Sequence, residues 1–355
     1  MRNSILTAAL LLLTGLLLGP MDSQQQAAAG STFGGAGKGA NPTLAALSEA
    51  TAELATQVLR ATVHFEATRK EEGPDGGRTS GTGSGFVVDA ARGIVVTNNH
   101  VVGSADAVVR VRLNDGRKFE ATVVGTDPAT DLAVVRIPEG EALYQLKWGN
   151  SDILRPGHWV MAVGNPLGEI GTTSTGVISG LNRDPQLPNI KYEAFLQFDA
   201  YIDRGSSGGP LVNMAGEVIG VNTAISGQVW QGAGYAVPSF MARGIIEQLT
   251  AGKKVRRGYL GLDPRNVDAS YADQVGLSRP YGARVSHVNK DSPASRGGLQ
   301  RGDIILAIDG QEIGQSKELI ARITSVLPGT TVKLKVWRDG SPITLQVKVG
   351  ERPNG

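Results

Sequence analysis

Short apolar runs broken by glycine-bearing turns recur along the chain and restrict it to a mainly β fold. Phe86-Val-Val-Asp89 and Ile94-Val-Val-Thr97 flank Ala90-Ala-Arg-Gly93, which reads as a hairpin with glycine at its turn. Val109-Arg-Val-Arg-Leu113 alternates with the two-residue period of a half-buried strand, and Asn114-Asp-Gly116 supplies the reversal after it. Ala121-Thr-Val-Val124, Leu132-Ala-Val-Val135, His158-Trp-Val-Met-Ala-Val163 and Thr172-Thr-Ser-Thr-Gly-Val-Ile-Ser179 continue the series. Repeated short strands between Gly and Asp turns suit a barrel. Glycine usage agrees: 48 of 355 residues, about double the ordinary ~7%.

Composition excludes several functions. A net charge of +2 implies no strongly basic face, so nucleic acid is not an expected partner. The chain has no cysteine, which removes disulfides and thiolate metal sites, and its four histidines (His64, His100, His158 and His287) are too scattered for a zinc site. No metal and no cofactor are expected.

One stretch is built to expose a hydroxyl. In Asp203-Arg-Gly-Ser-Ser-Gly-Gly-Pro-Leu-Val212, glycines on both sides of Ser207 permit backbone angles that a residue with a Cβ avoids. Such a turn can lift the hydroxyl clear and aim consecutive N–H groups into one small space, which an oxyanion hole requires. Alone, a Gly/Ser run is more often a hairpin loop, because a serine hydroxyl is a poor nucleophile without a base beside it. His100 closes the run Gly93-Ile-Val-Val-Thr-Asn-Asn-His-Val-Val102 at the end of a β-rich segment. Asp131 immediately precedes the apolar strand Leu132-Ala-Val-Val135, where a carboxylate can accept the imidazole N–H, fix its tautomer and stabilise the imidazolium. Singly, that histidine reads as a surface residue and that aspartate as a turn cap.

Together, in the order His, Asp, Ser, these blocks resemble the HtrA (Deg) family of serine proteases. Thr97-Asn-Asn-His100-Val-Val, Asp127-Pro-Ala-Thr-Asp131-Leu-Ala and Gly205-Ser-Ser207-Gly-Gly-Pro match its three catalytic blocks. Gly164-Asn-Pro-Leu-Gly168, Gly220-Val-Asn-Thr223 and Gly232-Ala-Gly-Tyr-Ala-Val-Pro-Ser239 match further landmarks in the same order. The resemblance runs from about Val58 to about Val349. It implies a chymotrypsin-like double β-barrel protease domain followed by a smaller α+β PDZ domain. His100, Asp131 and Ser207 would form the catalytic triad, and Gly205, Ser206 and Ser207 the oxyanion hole. Tyr201 stands where trypsin-like enzymes carry their pocket carboxylate, and Ile202 matches the family's apolar pocket wall, so a small or medium apolar residue is expected before the cleaved bond. Three positions depart from the family pattern: Ser206 replaces an Asn, Phe198 a common Thr, and Tyr201 a small residue.

Arg257-Gly-Tyr-Leu-Gly-Leu262, Ser292-Pro-Ala-Ser-Arg-Gly-Gly-Leu299 and Gly302-Asp-Ile-Ile-Leu-Ala-Ile-Asp-Gly310 resemble HtrA-type PDZ modules. PDZ domains take a peptide's C-terminus as an added strand and hold its carboxylate on backbone N–H groups. Those donors are expected from Tyr259, Leu260 and Gly261. Leu319, Ile320, Ile323 and Val326 recur at helical spacing and give the helix that borders the groove. Arg183 aligns with the arginine by which relatives sense that ligand; a solvated loop arginine is an equal reading.

The chain divides into a leader over 1–29, a linker over 30–42, a protease domain over 43–250, a linker over 251–256 and a PDZ domain over 257–353. Arg2 and the apolar run Ile5–Leu18 read as a secretory signal, with an uncleaved N-terminal membrane anchor as the alternative. Ser23 to Gly39 is a polar tether. Asn41-Pro42 opens an amphipathic helix carrying Leu44, Leu47, Leu54 and Val58, and Lys70 to Gly83 reads as a short loop between the first two strands. The expected protein is an exported, ATP-independent serine endopeptidase of the periplasm or cell envelope. It would be a homotrimer by resemblance, would cleave unfolded proteins, and would respond to C-terminal peptides. The alternative is a PDZ chaperone or scaffold that does not cleave.

Overall fold

The computed structural model describes residues 41–70, 78–139, 143–165, 171–187, 190–225 and 231–353. The expected leader or anchor and the tether lie outside the described residues, as do 71–77 of the expected first loop. Helix α1 (Pro42–Ala61) starts at the predicted cap, where Asn41 Oδ1 accepts the Thr43 N–H at 2.9 Å. Leu54 and Val58, four residues apart on one face, are buried.

Strands β1 (Thr62–Lys70), β2 (Arg78–Asp89), β3 (Ile94–Thr97), β4 (Val108–Leu113), β5 (Lys118–Asp127) and β6 (Leu132–Arg136) close into a barrel in the order β1-β2-β3-β6-β5-β4. Residues 78–83, expected in the loop, are strand: Phe65 pairs with Gly83 and Thr68 with Ser80. Their polar character did not prevent this, because a ladder satisfies backbone groups whatever the side chains are. β4 follows its predicted alternation, with Val109, Val111 and Leu113 inside. A single turn of helix, α2 (Asn99–Val102), follows β3 and carries His100.

The second barrel contains β7 (Trp159–Gly164), β8 (Thr172–Arg183), β9 (Phe195–Phe198), β10 (Pro210–Asn213), β11 (Val218–Ile225) and β12 (Gly234–Pro238). It closes in the order β10-β11-β12-β9-β8-β7. Helix α3 (Ser239–Thr250) buries Met241, Ile245, Ile246 and Leu249 in one apolar cluster that takes residues from both barrels. Phe86 of β2 lies in that cluster, fully buried, with its ring edge-on to Trp148 at 5.8 Å.

The C-terminal module has its own core. Its elements are β13 (Gly258–Tyr259), β14 (Leu262–Asn266), α4 (Ala269–Gln274), β15 (Ala283–Val288), α5 (Pro293–Arg296), β16 (Ile304–Ile308) and β17 (Gln311–Glu312). Helix α6 (Ser316–Ser325), β18 (Thr331–Arg338), β19 (Ser341–Lys348) and β20 (Gly350–Glu351) complete it. The main sheet runs β14-β15-β16-β18-β19, and β13 pairs with β20. Leu319 and Ile323 of α6 are buried in this core.

Charged contacts join the module to the barrels. Arg322 of α6 binds Asp152 at 2.8 Å and lies over the Phe240 ring at 4.5 Å. Arg257 pairs with Asp127, and both side chains are largely buried. Because Phe86 fills the space between the barrels, Phe86→Ala is expected to destabilise the protein by about 3–5 kcal/mol, read from urea unfolding followed by circular dichroism.

Candidate active site

His100 and Asp131 meet at the end of the first barrel. Asp131 sits at φ 59°, a left-handed angle tolerated by aspartate at a tight turn, and this aims its carboxylate back at α2. Its Oδ1 accepts the His100 backbone N–H at 2.9 Å and its Oδ2 lies 2.7 Å from His100 Nδ1. The carboxylate is 6% exposed and the imidazole 50%. A dry carboxylate on Nδ1 leaves Nε2 as the nitrogen that can take a proton from a hydroxyl. Asn98, fully buried, locks this turn: its Nδ2 donates to the Asp131 carbonyl at 2.8 Å and to Thr223 Oγ1 at 3.1 Å. That second bond crosses to β11 of the other barrel.

Ser207 comes to the same seam from the second barrel. Its carbonyl accepts the Ser84 N–H at 2.8 Å, and its Oγ donates to the Thr223 carbonyl at 3.2 Å. A Cβ built on Gly83 would lie 2.6 Å from Val101 of α2 and 3.1 Å from the Ser207 carbonyl, so the two segments close on one point. At Gly208, φ is 86° and a Cβ would enter the Ser84 carbonyl and the Thr97 hydroxyl, so glycine is required there.

The loop's N–H groups fall into two sets. Ser206 donates to Asp203 O at 2.9 Å, Gly208 to Asn222 O at 2.7 Å, and Gly209 to Ser206 O at 3.1 Å. Gly205 and Ser207 donate to no partner among the described residues. Two of the three expected oxyanion donors are therefore available; the Ser206 N–H is not, because a tight turn back to Asp203 consumes it. Ser84 lies outside the blocks singled out in the sequence, and Asn98 and Thr223 lie inside them without a role assigned there. The signal for Ser84 is a serine between two glycines immediately before the apolar run Phe86-Val-Val88.

Ile202 is buried beside Phe198, and both close on Gly234, where a built Cβ would lie 2.8 Å from Phe198 and 3.1 Å from Ile202. Phe198 is core rather than a pocket obstruction. Tyr201 turns outward instead, 45% exposed, and its hydroxyl donates to Asp203 Oδ2 at 2.8 Å. Asp203 also accepts the Arg204 N–H at 2.7 Å, and its carboxyl is held below the usual range by these two bonds.

The C-terminal module carries a groove of about 380 Å³ between β14 and α6. Tyr259, Leu260 and Gly261 line it, as do Ile320 and, from the second barrel, Lys191 and Tyr192. The N–H groups of Leu260 and Gly261 donate to nothing among the described residues, while their carbonyls hold Ala294 and Asn289. Arg183 is exposed and lies over Gly180; its neighbours contact α6 instead, with the Asn182 carbonyl accepting from Gln315 Nε2 at 2.7 Å and Asp184 pairing with Lys317. Glu193, nearly buried, accepts the Gln186 and Leu187 N–H groups at 3.0 and 2.7 Å. Burial, and then a hydrogen bond to Asp184, push its carboxyl up to about 7. Among the described residues no cluster of metal ligands exists, and no helix is long and apolar enough to cross a membrane.

Comparison with known proteins agrees with this architecture. Residues 83–221 match the trypsin-like peptidase domain model and 258–349 the PDZ domain model. A "probable periplasmic serine endoprotease DegP-like" of Marinomonas sp. is 44% identical over 284 residues, covering 79% of this chain and 59% of that protein. Its counterpart in Chlamydia trachomatis is 44% identical over 82% of this chain and 57% of its own. The chain thus spans under two thirds of the length of these curated relatives. Among solved structures, the HtrA-type protease AlgW with a decapeptide is 35% identical at a TM-score of 0.62, covering 86% of this chain and 99% of that one. AlgW with a tripeptide reaches 37% and 0.66. With its two closed barrels, its peptide groove and an imidazole held by a buried carboxylate at the seam, the chain belongs to the family of HtrA-type serine proteases.

Proposed function

We propose that this chain is an exported serine endopeptidase that cleaves unfolded proteins in the periplasm, as the names of its relatives suggest. The observation that carries the reading is the contact between the His100 ring and the buried Asp131 carboxylate, set beside a loop with two unused N–H groups. Ser207 Oγ attacks the scissile carbonyl, and His100 Nε2 takes its proton and returns it to the leaving amine. Asp131 holds the tautomer and stabilises the imidazolium. The N–H groups of Gly205 and Ser207 bind the oxyanion, Gly205 being held at φ 97°. The apolar wall expected from Ile202 favours a small or medium apolar side chain before the cleaved bond. A non-cleaving chaperone is not favoured, since the relatives and structural neighbours are named as proteases.

The groove supports control by a C-terminal peptide. Lys191 and Tyr192, which line it, both donate their N–H groups to the Ala129 carbonyl, at 3.0 and 3.2 Å. Ala129 belongs to the turn that ends in Asp131. A peptide seated there touches residues bonded to the catalytic turn, and it shifts the enzyme only by its preference for one arrangement of that turn. The homotrimer and the membrane anchor belong to the same reading by family resemblance alone.

Three outcomes are expected. Wild-type protein cleaves casein and reacts with a fluorophosphonate, and Ser207→Ala does neither; equal clearance of casein by both proteins would sink the protease reading. Asp131→Asn lowers kcat by roughly 10⁴ because the imidazole loses its enforced tautomer. Glu193 holds its proton more tightly in the packed loop than in an unpacked one, where its pKa returns to 4.5. The Glu193 contribution to holding the loop is therefore full up to pH 4.5, fades as pH rises to about 7 and is level above that, while Asp184, held below the usual range by its hydrogen bond to Glu193, loses its own contribution only at lower pH. Hydrogen exchange at Gln186 and Leu187, corrected for intrinsic rates, reports this trend, and Glu193→Gln flattens it.

A further inference from the structure

We propose that Ser84 is a positioning residue for the proteolytic reaction, one that fixes the two peptide units alternating with those that bind the oxyanion. The proposal rests on the protease reading above. Ser84 is fully buried and reaches the loop by two routes: its N–H donates to Ser207 O at 2.8 Å, and its Oγ donates to Gly205 O at 2.6 Å. Its Oγ also accepts the Asn165 N–H at 2.8 Å, and its carbonyl accepts Thr97 Oγ1 at 2.6 Å. Every hydrogen-bonding group of the residue is therefore committed, which fixes its rotamer and both of its reaches.

The consequence follows from the order of peptide planes. The 205–206 peptide is tied at both ends, its N–H to Asp203 O and its carbonyl to Ser84 Oγ. The 207–208 peptide is tied at both ends too, its N–H to Asn222 O and its carbonyl to the Ser84 N–H. Between and before them lie the 206–207 and 204–205 peptides, whose N–H groups are unused. With alternate planes anchored, the direction of these two donors follows, because only the torsions at 205, 206 and 207 join them. Without the Ser84 hydroxyl, the Gly205 carbonyl loses its partner, and a glycine at φ 97° opposes rotation of that plane only weakly. Oxyanion binding depends on donors already in place when charge develops, so such loosening acts on the transition state more than on the bound substrate.

The test compares full-length wild type, Ser84→Ala and Ser239→Ala on a fluorogenic peptide with Val before the cleaved bond. Ser239 is a matched control outside the site: its Oγ also accepts one backbone N–H, from Ser151 at 3.0 Å, and donates to one carbonyl, Gly149 O at 2.9 Å. Ser84→Ala is expected to lower kcat by about 10–10²-fold, less than the roughly 10²–10³ lost with an oxyanion donor itself, at a nearly unchanged KM. It should weaken a peptide boronate by a similar factor and leave the affinity of the cleaved product peptide alone. Ser239→Ala should keep kcat. The proposal is overturned if Ser84→Ala keeps kcat within about two-fold, if KM absorbs the loss, or if Ser239→Ala loses as much. Should Ser84→Ala not melt cooperatively, Ser84→Cys, with a weak donor of similar size, is read by the same criteria. A wild type that cleaves nothing overturns the protease reading itself, a different result from an active wild type with an unaffected Ser84→Ala.

Discussion

Hydrogen bonds across the seam between the two barrels are the constraint on which the candidate site depends. The base and its carboxylate grow from the first barrel, and the candidate nucleophile grows from the second. The backbone ladder within each closed sheet does not fix one against the other. The bond from Asn98 Nδ2 to Thr223 Oγ1 and the bonds from Ser84 to residues 205 and 207 do so. Ser84, Thr97 and Asn98 are fully buried, so water cannot replace any bond that breaks. A buried polar network of this kind specifies one arrangement, because any alternative leaves donors or acceptors orphaned.

The same logic extends to the C-terminal module. The turn 127–131 has Asp131 at one end and Asp127 at the other, and Asp127 pairs with Arg257, the residue that precedes β13. Arg257 and Arg352 both lie over the Tyr192 ring, at 4.8 and 5.6 Å, and Tyr192 is bonded to the middle of that turn. The path from groove to carboxylate is thus short, running through the Tyr192 N–H and the Ala129 carbonyl, with the largely buried Arg257–Asp127 pair beside it. A surface ion pair contributes little to stability, but a largely buried one leaves an uncompensated charge when broken, so these contacts act as an on-or-off fastening between the modules.

Much of this was legible in the residues. The short strands, the helix after Ser239, and the blocks around His100, Asp131 and Ser207 carry local signals of periodicity, turn chemistry and order. What misled was polarity used as a guide to structure: residues 78–83 read as loop because they are polar, yet they continue β2. Tyr201 and Phe198 also read alike, as bulky residues near the pocket. Phe198 ends β9 with its ring in the core, whereas Tyr201 follows the strand and turns to solvent, its hydroxyl on Asp203.

The sequence by itself determined the mainly β architecture, the two modules and the identity of the three candidate catalytic side chains, since each is written in contiguous residues. Only the tertiary structure decided which N–H groups of the Ser207 loop remain available, that Ser84 anchors that loop, and that the end of β8 meets the module through Asn182 and Asp184 rather than Arg183. The Ser84 anchor and the contacts of Asn182 and Asp184 have partners more than a hundred residues away in the chain. A hydrogen bond's partner is chosen by the folded backbone, and no local pattern encodes it.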